Sequence, residues 1–255
     1  MTTVLETESL RRQFGDLVAV DDVSVAIDSG DITSIIGPNG AGKTTFYSLL
    51  TGALEPTAGR VFVHDADDGR EELTGRPTHE VAQRGLSRAY QINNSFPGMS
   101  VLDNLRVARI AATDRSKELR TRYRDDAELA ESARDVLELM DLTDVAETTV
   151  SNLSHGDKRK VEIALSLATD PTVVLLDEPT AGMNPSESAD MVELIKDIDE
   201  TTETTFVLTE HDIDMVLDIS DRILVLHQGQ LIADGPPATV MDDEAVTTAY
   251  LGEQP

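Results

Sequence analysis

The sequence contains the stretch Gly37-Pro38-Asn39-Gly40-Ala41-Gly42-Lys43-Thr44, which fits the Gly-x-x-x-x-Gly-Lys-Ser/Thr pattern of a phosphate-binding loop. An apolar, β-branched run at residues 32–36 precedes it, and a run compatible with a helix at residues 44–50 follows it. The motif therefore lies between a predicted strand and a predicted helix, which is the context that such a loop requires. A simple glycine-rich turn is the weaker alternative.

Each part of this loop has a physical role in holding a polyphosphate. Glycines allow backbone N–H groups to turn inward around the phosphates, and the N-terminus of the following helix adds partial positive charge. Lys43 would reach the β- and γ-phosphates, and the Thr44 hydroxyl would bind Mg²⁺. We predict nine nucleotide-binding residues here: Gly37, Pro38, Asn39, Gly40, Ala41, Gly42, Lys43, Thr44 and Thr45.

Two acids follow a second apolar run, at residues 173–176. A continuous apolar run with β-branched members is typical of a strand buried on both faces of a parallel sheet. Asp177, at its end, would hold Mg²⁺ directly or through water, and Glu178 would orient or deprotonate an attacking water. Acids also follow strands in ordinary surface loops, but the phosphate-binding loop upstream favours the catalytic interpretation.

Residues 153–157 read Leu-Ser-His-Gly-Asp. Ser154 is a candidate helix N-cap, and Asp157 lies at the spacing of a capping box. Taken alone, this pattern indicates no more than a capped amphipathic helix. Residues 129–140 also have helical spacing of apolar side chains. Residues 64–72 are expected to form an acidic, turn-rich loop, which is interpreted as the solvated end of a hairpin rather than as a metal site.

Composition excludes several classes of protein. With 255 residues, 40% of them hydrophobic, the chain can hold one large or two small domains around a buried core. The absence of cysteine excludes disulfides and thiolate metal sites. Residues 1–14 lack the apolar core of a signal peptide, and no apolar run approaches the roughly 20 residues of a membrane span. A secreted protein is therefore disfavoured.

The formal net charge is −27, from 48 acidic and 21 basic residues. Such a surface repels nucleic-acid phosphates, which disfavours a DNA- or RNA-binding role. The acid-rich, lysine-poor composition resembles that of proteins from a high-salt cytoplasm, where self-repulsion is screened. An ordinary acidic protein is the alternative, and composition does not distinguish the two.

The order of motifs along the chain resembles the ATP-binding cassette of ABC transporters. The phosphate-binding loop is followed by Gln91, by Leu-Ser-x-Gly at residues 153–156, by Leu-Leu-Asp-Glu-Pro-Thr at residues 175–180 and by His211. The resemblance spans residues 5–252. It implies an α/β fold of the P-loop NTPase type, the ABC cassette, with a mostly parallel core sheet, an antiparallel β lobe and a helical subdomain.

The resemblance also implies a domain organisation. Residues 1–255 would form a single ABC nucleotide-binding domain, with a nucleotide-binding core lobe at residues 1–87 and 166–255. Residues 88–165 would form the helical signature subdomain.

The family further implies roles for matching positions in the chain's own nucleotide site. Phe14 matches the aromatic residue that stacks on adenine, and a core position is the weaker alternative. Gln91 matches the glutamine that contacts Mg²⁺ and water and senses the membrane subunits. Glu178 matches the catalytic glutamate, and His211 matches the histidine that touches the γ-phosphate.

Ser154 and Gly156 match the signature motif, which in this family binds the γ-phosphate held by an opposite cassette. A second ABC ATPase subunit, either a copy of this chain or a relative, is therefore implied. The sequence departs from the usual pattern at His155, at Asp157 and at Asn184. These departures leave open whether one of two composite ATP sites is weakened, or whether the chain is a regulatory cassette.

Four segments resemble the ATPases of branched-chain amino-acid importers: residues 88–91, 96–105, 181–185 and 249–252. Related cassettes serve urea or short-chain amides, which remain alternatives. The resemblance implies ATP and Mg²⁺ as cofactors and membrane-spanning permease subunits as partners, with a solute-binding protein acting indirectly. It also implies a peripheral location on the cytoplasmic face of the cell membrane.

Residues 93–99 are the best candidate for a contact with the membrane subunits, because apolar side chains in an exposed loop often mark a partner site. The alternative is a loop that packs on its own helical lobe. A P-loop kinase or GTPase would lack the Leu-Ser-x-Gly segment, and the Asn-Lys-x-Asp guanine reader of GTPases is absent. A chromosome-maintenance ATPase needs long heptad arms, for which this chain has no room.

Overall fold

The computed structural model describes residues 2–65, 69–89, 95–112 and 127–251. Its strands are β1 (Thr3–Phe14), β2 (Leu17–Asp28), β3 (Thr33–Ile36), β4 (Ala58–Asp65), β5 (Gly69–Glu72), β6 (Leu86–Ala89), β7 (Val173–Asp177), β8 (Thr205–Thr209), β9 (Arg222–His227) and β10 (Gln230–Gly235). Its helices are α1 (Lys43–Leu50), α2 (Thr78–Ala82), α3 (Val101–Ala112), α4 (Ala127–Leu139), α5 (His155–Leu167), α6 (Pro185–Thr201), α7 (Ile213–Ile219), α8 (Pro237–Met241) and α9 (Glu244–Leu251).

A six-stranded sheet forms the centre of the fold, in the order β10-β9-β3-β8-β7-β6. Strands β6, β7, β8, β3 and β9 run parallel, and β10 pairs antiparallel with β9 at one edge. Residues 173–176 of β7 and 206–208 of β8 are completely buried. The continuous apolar run of β7 thus forms a strand covered on both faces, as the sequence predicts, and the run of β8 is covered in the same way.

A second, four-stranded antiparallel sheet has the order β2-β1-β4-β5. Strands β1 and β2 form a hairpin in which Phe14 pairs with Leu17 across a two-residue turn. The turn contains Gly15 at a φ of 58°, a conformation that glycine adopts without a steric penalty. The hairpin expected over residues 64–72 is formed by β4 and β5, but residues 69–72 pair with β4 as a strand and are not part of a loop.

Helix α5 packs against β6 and β7, helices α3 and α4 pack on α5, and all three share one hydrophobic core with the parallel sheet. The helical spacing predicted over residues 129–140 is confirmed by α4. The predicted lobe boundary at residue 88 falls inside β6, and the boundary at residue 165 falls inside α5. The division of the chain into a core lobe and a helical signature subdomain stays a prediction.

Two helices begin with side-chain caps at positions where the sequence departs from the family pattern. The Ser154 hydroxyl accepts a hydrogen bond from Asp157 N (3.0 Å) and donates one to the Asp157 carboxylate (2.7 Å). Asn184 accepts from the backbone N–H of Ser186 and Glu187, and the Glu187 carboxylate accepts from Asn184 N. Asp157 and Asn184 therefore both stabilise helix N-termini.

Within the described ranges, no helix combines the length and the apolar character that crossing a bilayer demands.

Asp199, on the last turns of α6, is partly buried, and its Oδ1 atom has no hydrogen-bond partner within the described part of the chain. Burial, together with the negative charges of Asp221, Asp31 and Glu200, raises the pKa of Asp199 from 3.8 to about 6. The native state therefore holds this proton more tightly than the unfolded state. Its contribution to stability is fully present below about pH 4 and is lost as the pH rises through 6.

Asp199→Asn is expected to raise the melting temperature at about pH 7.5, where ionised Asp199 destabilises the fold, and to raise it less as the pH falls towards 5. Asp197→Asn, two residues away on the exposed face of α6, removes the same charge and serves as the control. Thermal melts followed by circular dichroism across this pH range measure both. An equal, pH-independent gain in the two variants would contradict the assignment.

Candidate nucleotide-binding site

The predicted phosphate-binding loop connects β3 to α1. Gly37 has a φ of 152° and Gly42 a φ of 106°, which side chains other than glycine rarely adopt. A Cβ atom on Gly37 would clash with the carbonyl oxygen of Leu226, and one on Gly42 with that of Ala19. These two glycines therefore allow the loop to pass close to the backbones of β9 and β2.

Lys43 folds back over the loop that precedes it. Its Nζ donates hydrogen bonds to the carbonyl oxygens of Gly37 (2.5 Å) and Pro38 (3.2 Å). The ammonium group is thus fixed at the entrance of α1, where backbone N–H groups and the helix dipole favour an anion.

A cleft of about 800 Å³ lies beside this loop. It brings together residues that are far apart in the sequence, from the β1–β2 hairpin, the phosphate-binding loop and the ends of β7 and β8. The predicted site residues lining it are Phe14, Asn39, Gly40, Ala41, Gly42, Lys43, Thr44, Thr45, Asp177, Glu178 and His211.

Asp177 is held at the end of β7 by two neighbours. Its Oδ1 accepts a hydrogen bond from the Thr209 hydroxyl (2.7 Å), and its Oδ2 accepts one from Arg88 Nη2 (2.7 Å). The Arg88 side chain is only 7% exposed, so this pair is shielded from solvent screening. The sequence analysis assigned no role to Arg88. Its proximity to Asp177 follows from the pairing of β6 with β7, which the sequence alone does not reveal.

Tyr47, on α1, packs beside this ion pair. Its hydroxyl donates a hydrogen bond to Val207 O (3.0 Å), and the Arg88 guanidinium lies 5.4 Å from its ring centroid. Complete burial, with a smaller contribution from the negative charge of Asp177, raises the pKa of Tyr47 well above its ordinary value. Tyr47 is therefore a neutral hydrogen-bond donor at physiological pH.

Glu178 and His211 face each other in the cleft, with 2.9 Å between Glu178 Oε1 and His211 Nε2. Both side chains are partly open to solvent. Glu178 has a φ of 48°, and its N–H donates to Thr209 O (2.9 Å). The structure thus brings the predicted base and the predicted histidine together across β7 and β8.

Glu210 is a buried acid that sequence reasoning did not assign. One carboxylate oxygen accepts hydrogen bonds from the Thr180 hydroxyl (2.9 Å) and Thr180 N (3.2 Å), and the other accepts from His211 N (3.2 Å). Glu210 therefore ties the loop after Glu178 to the segment that carries His211. Nothing in the sequence distinguishes it from an exposed acid after a strand.

Ser154 and Gly156 lie at the start of α5 and are absent from the described residues that line the cleft. A Cβ atom added to Gly156 would meet nothing within 4 Å, so no described part of this chain requires a glycine there. Gln91 lies outside the described residues.

The cleft also offers ligands that suit Mg²⁺. The Thr44 hydroxyl and the Asp177 carboxylate line the same space, and both are hard oxygen donors. Mg²⁺ is usually held by one or two protein side chains, with phosphate oxygens and water completing its octahedron. The residues present therefore fit this ion.

Comparisons with known proteins agree with this geometry. A family profile described as ABC transporter matches residues 20–181, and one described as Branched-chain amino acid ATP-binding cassette transporter matches residues 230–254. The chain is 38% identical, over 98% of both chains, to the high-affinity branched-chain amino acid transport ATP-binding protein BraF of Pseudomonas aeruginosa. The same identity and coverage relate it to LivG of Escherichia coli K12, which has the same descriptive name.

Among solved structures, the ADP conformation of MJ1267, an ATP-binding cassette of an ABC transporter, has a TM-score of 0.86. That chain is 31% identical to this one, and the match covers 99% of this chain and 100% of MJ1267. The protein is thus a P-loop ATP-binding cassette. It belongs to the ABC transporter family, and the fold class and family expected from the sequence are confirmed.

Lys43→Ala is expected to weaken ATP binding by at least about tenfold, because it removes a charge-assisted hydrogen bond of about 1.5–3 kcal/mol. The variant should fail to retain ATP on gel filtration. Lys196→Ala, which removes an ammonium paired with Glu193 and Asp218 on α6 and α7, is the matched control. Calorimetric titration with ATP measures both, and undiminished affinity in Lys43→Ala would rule out the phosphate contact.

Proposed function

We propose that this chain is the ATP-binding and ATP-hydrolysing subunit that powers an ABC importer for branched-chain amino acids. One observation supports ATP hydrolysis: Lys43, Asp177 and the Glu178–His211 pair face a single cleft. The names of BraF and LivG and the profile matching residues 230–254 support the choice of solute.

Residues 37–45 and Phe14 hold the nucleotide in this proposal. Phe14 is 44% exposed at the tip of the β1–β2 hairpin and lines the same cleft as the loop. This exposed position favours stacking on adenine over the alternative role as a core residue. Thr44 and Asp177 hold Mg²⁺, which neutralises phosphate charge when it is bound. Gln91, outside the described residues, is assigned to the same ion on the family resemblance alone.

Hydrolysis depends on proton transfer from water at Glu178. The carboxylate accepts the proton, and His211 keeps it oriented through the 2.9 Å contact. Lys43 stabilises the negative charge that develops on the transferred phosphoryl group. The Glu210 carboxylate accepts hydrogen bonds from Thr180 and from His211 N. These bonds hold the loop after Glu178 against the segment that carries His211.

Ser154 and Gly156 act on a second ABC ATPase subunit, which is a copy of this chain or a relative. Two features support this assignment: both residues lie away from the Lys43 cleft, and no neighbour in the described chain excludes a side chain at Gly156. The start of α5, with its backbone N–H groups, is suited to a γ-phosphate held by that partner.

Membrane-spanning permease subunits are the direct partners, a solute-binding protein is an indirect one, and the chain lies peripherally at the cytoplasmic face of the membrane. The contact is assigned to the loop around Phe96, which is 52% exposed. The buried Asn104 side chain holds this loop by accepting from Phe96 N (2.7 Å) and donating to Phe96 O (3.1 Å). Residues 93 and 94 of the predicted contact lie outside the described residues. An exposed aromatic side chain on a backbone held at Phe96 suits a protein partner.

Glu178→Gln is expected to keep ATP binding and to lower turnover about a hundredfold or more, because the amide cannot accept the proton. The variant should accumulate as a closed, ATP-bound dimer. Glu193→Gln, on the exposed face of α6, removes the same charge outside the cleft and should hydrolyse ATP like the parent. Steady-state phosphate release and gel filtration measure these outcomes; turnover within about tenfold of the parent would remove Glu178 from the role of base.

The solute is tested in vesicles that contain the permease subunits and the solute-binding protein. Leucine, isoleucine or valine should stimulate ATP hydrolysis and be transported. Stimulation by urea or a short-chain amide alone would establish the alternative importer. Feeble hydrolysis with every solute, despite intact ATP binding, would instead indicate a regulatory cassette.

Phe96→Asp is expected to uncouple ATP hydrolysis from transport, because a charge replaces the exposed aromatic tip of the permease contact. Met241→Asp, at an exposed apolar residue of α8, is the matched control and should stay coupled. The ratio of solute transported to ATP hydrolysed in the same vesicles measures coupling. An unchanged ratio in Phe96→Asp would assign the loop to packing within its own subunit.

A further inference from the structure

Arg159 is a buried cation on α5 that the proposed reaction does not use. Its side chain is 6% exposed, and its guanidinium donates four hydrogen bonds. Nη1 donates to the Glu162 carboxylate (2.6 Å), one turn further along the same helix. The other three bonds leave the helix and end on backbone carbonyl groups of a different segment.

Those three carbonyl groups belong to consecutive residues at the end of β7. Nη2 donates to Asp177 O (2.5 Å) and Glu178 O (2.9 Å), and Nε donates to Pro179 O (3.1 Å). The guanidinium is planar and presents its donors in a fixed fork. It therefore fixes the orientation of three successive peptide groups around Glu178, which a single-point donor could not do.

Glu178 has a conformation that requires such support. Its φ of 48° lies in the left-handed region, which is sterically strained for a residue other than glycine. Such a conformation persists where the surrounding contacts determine it. Here the contacts are Thr209 O, which accepts from Glu178 N (2.9 Å), and Arg159, which donates to Glu178 O.

We propose that Arg159 is a positioning residue for Glu178: it clamps the carbonyl groups of residues 177–179 so that the Glu178 side chain points into the cleft towards His211. This inference rests on the proposed function of Glu178 as the base. Because α5 also begins with Ser154 and Gly156, the clamp connects the segment assigned to a partner's nucleotide with the base that acts on the chain's own nucleotide.

A purely structural role for Arg159 would predict a different pattern of defects. Loss of a packing residue lowers stability throughout the fold and impairs nucleotide binding together with turnover. Loss of a positioning residue lowers kcat while the nucleotide affinity, which depends on residues 37–45, is retained. A displacement of about 1 Å at the reacting group is enough to lower a rate by about a hundredfold.

The test uses Arg159→Met and Arg159→Lys in the purified full chain, with Arg106→Met as the matched control. Arg106 is a partly buried arginine on α3, with its side chain 11% exposed and paired with Asp103, outside the cleft. Arg159→Met is expected to lower kcat by about tenfold to a hundredfold, with the ATP dissociation constant changed less than about threefold. Arg159→Lys should recover part of the rate, because its ammonium reaches fewer of the three carbonyl groups. Arg106→Met should keep the parental rate.

Two further readouts separate positioning from general destabilisation. Hydrogen exchange followed by mass spectrometry should show faster exchange at residues 177–183 in Arg159→Met and not in Arg106→Met. In a double-mutant cycle, adding Arg159→Met to Glu178→Gln should lower residual turnover less than about threefold further, because both changes act on the same step.

A full additional loss in the double variant, or parental turnover in Arg159→Met, would overturn the role of Arg159 while leaving Glu178 as the base. If Arg159→Met does not fold, Arg159→Lys decides: a kcat equal to the parental value with unchanged exchange at residues 177–183 would overturn the proposal. Failure of Glu178→Gln itself to lower turnover would instead overturn the proposed function. The two failures are therefore distinguishable.

Discussion

The parallel pairing of β3, β8 and β7 is the constraint on which the rest of the site depends. Thr209 pairs with Ile35 on one side and with Asp177 on the other. This register places the end of β3, where the phosphate-binding loop starts, level with the acids after β7 and the histidine after β8. Because the carboxyl ends of parallel strands share one edge, the segments that follow β3, β7 and β8 lie side by side, although they are spread over residues 37–211 of the sequence.

The elements that the sequence predicted best are those in which local pattern and tertiary burial agree. The apolar runs of β7 and β8 are rich in β-branched and aromatic residues and are completely buried, so local preference and tertiary burial both favour strands. Strand β5 could not be predicted in this way: its four residues, Gly-Arg-Glu-Glu, are all exposed. They form a strand because they pair with the edge of β4. The segment itself has no alternating apolar pattern that would predict this pairing.

The same distinction applies to the site. The residues assigned to phosphate, to Mg²⁺ and to the base lie in short, contiguous motifs, and the structure brings them to one cleft. The sequence analysis assigned no role to Arg88, Arg159 or Glu210. Each of these side chains forms its hydrogen bonds with groups that are distant in the sequence. A buried charged side chain is not distinguished from an exposed one by the amino-acid sequence alone. Its partner becomes visible only when strand order and helix packing are known.

The hydrogen bonds of Lys43 to the carbonyl groups of Gly37 and Pro38 have a thermodynamic consequence for ligand affinity. A long, flexible side chain that is immobilised only on binding loses rotamer entropy worth about 0.5–1.5 kcal/mol. In this protein the loop itself already restrains that chain, so an arriving triphosphate exchanges one set of oxygen acceptors for another. The restraint reduces the entropy lost on binding, and the hydrogen bonds to Gly37 O and Pro38 O that the ligand replaces offset part of this gain.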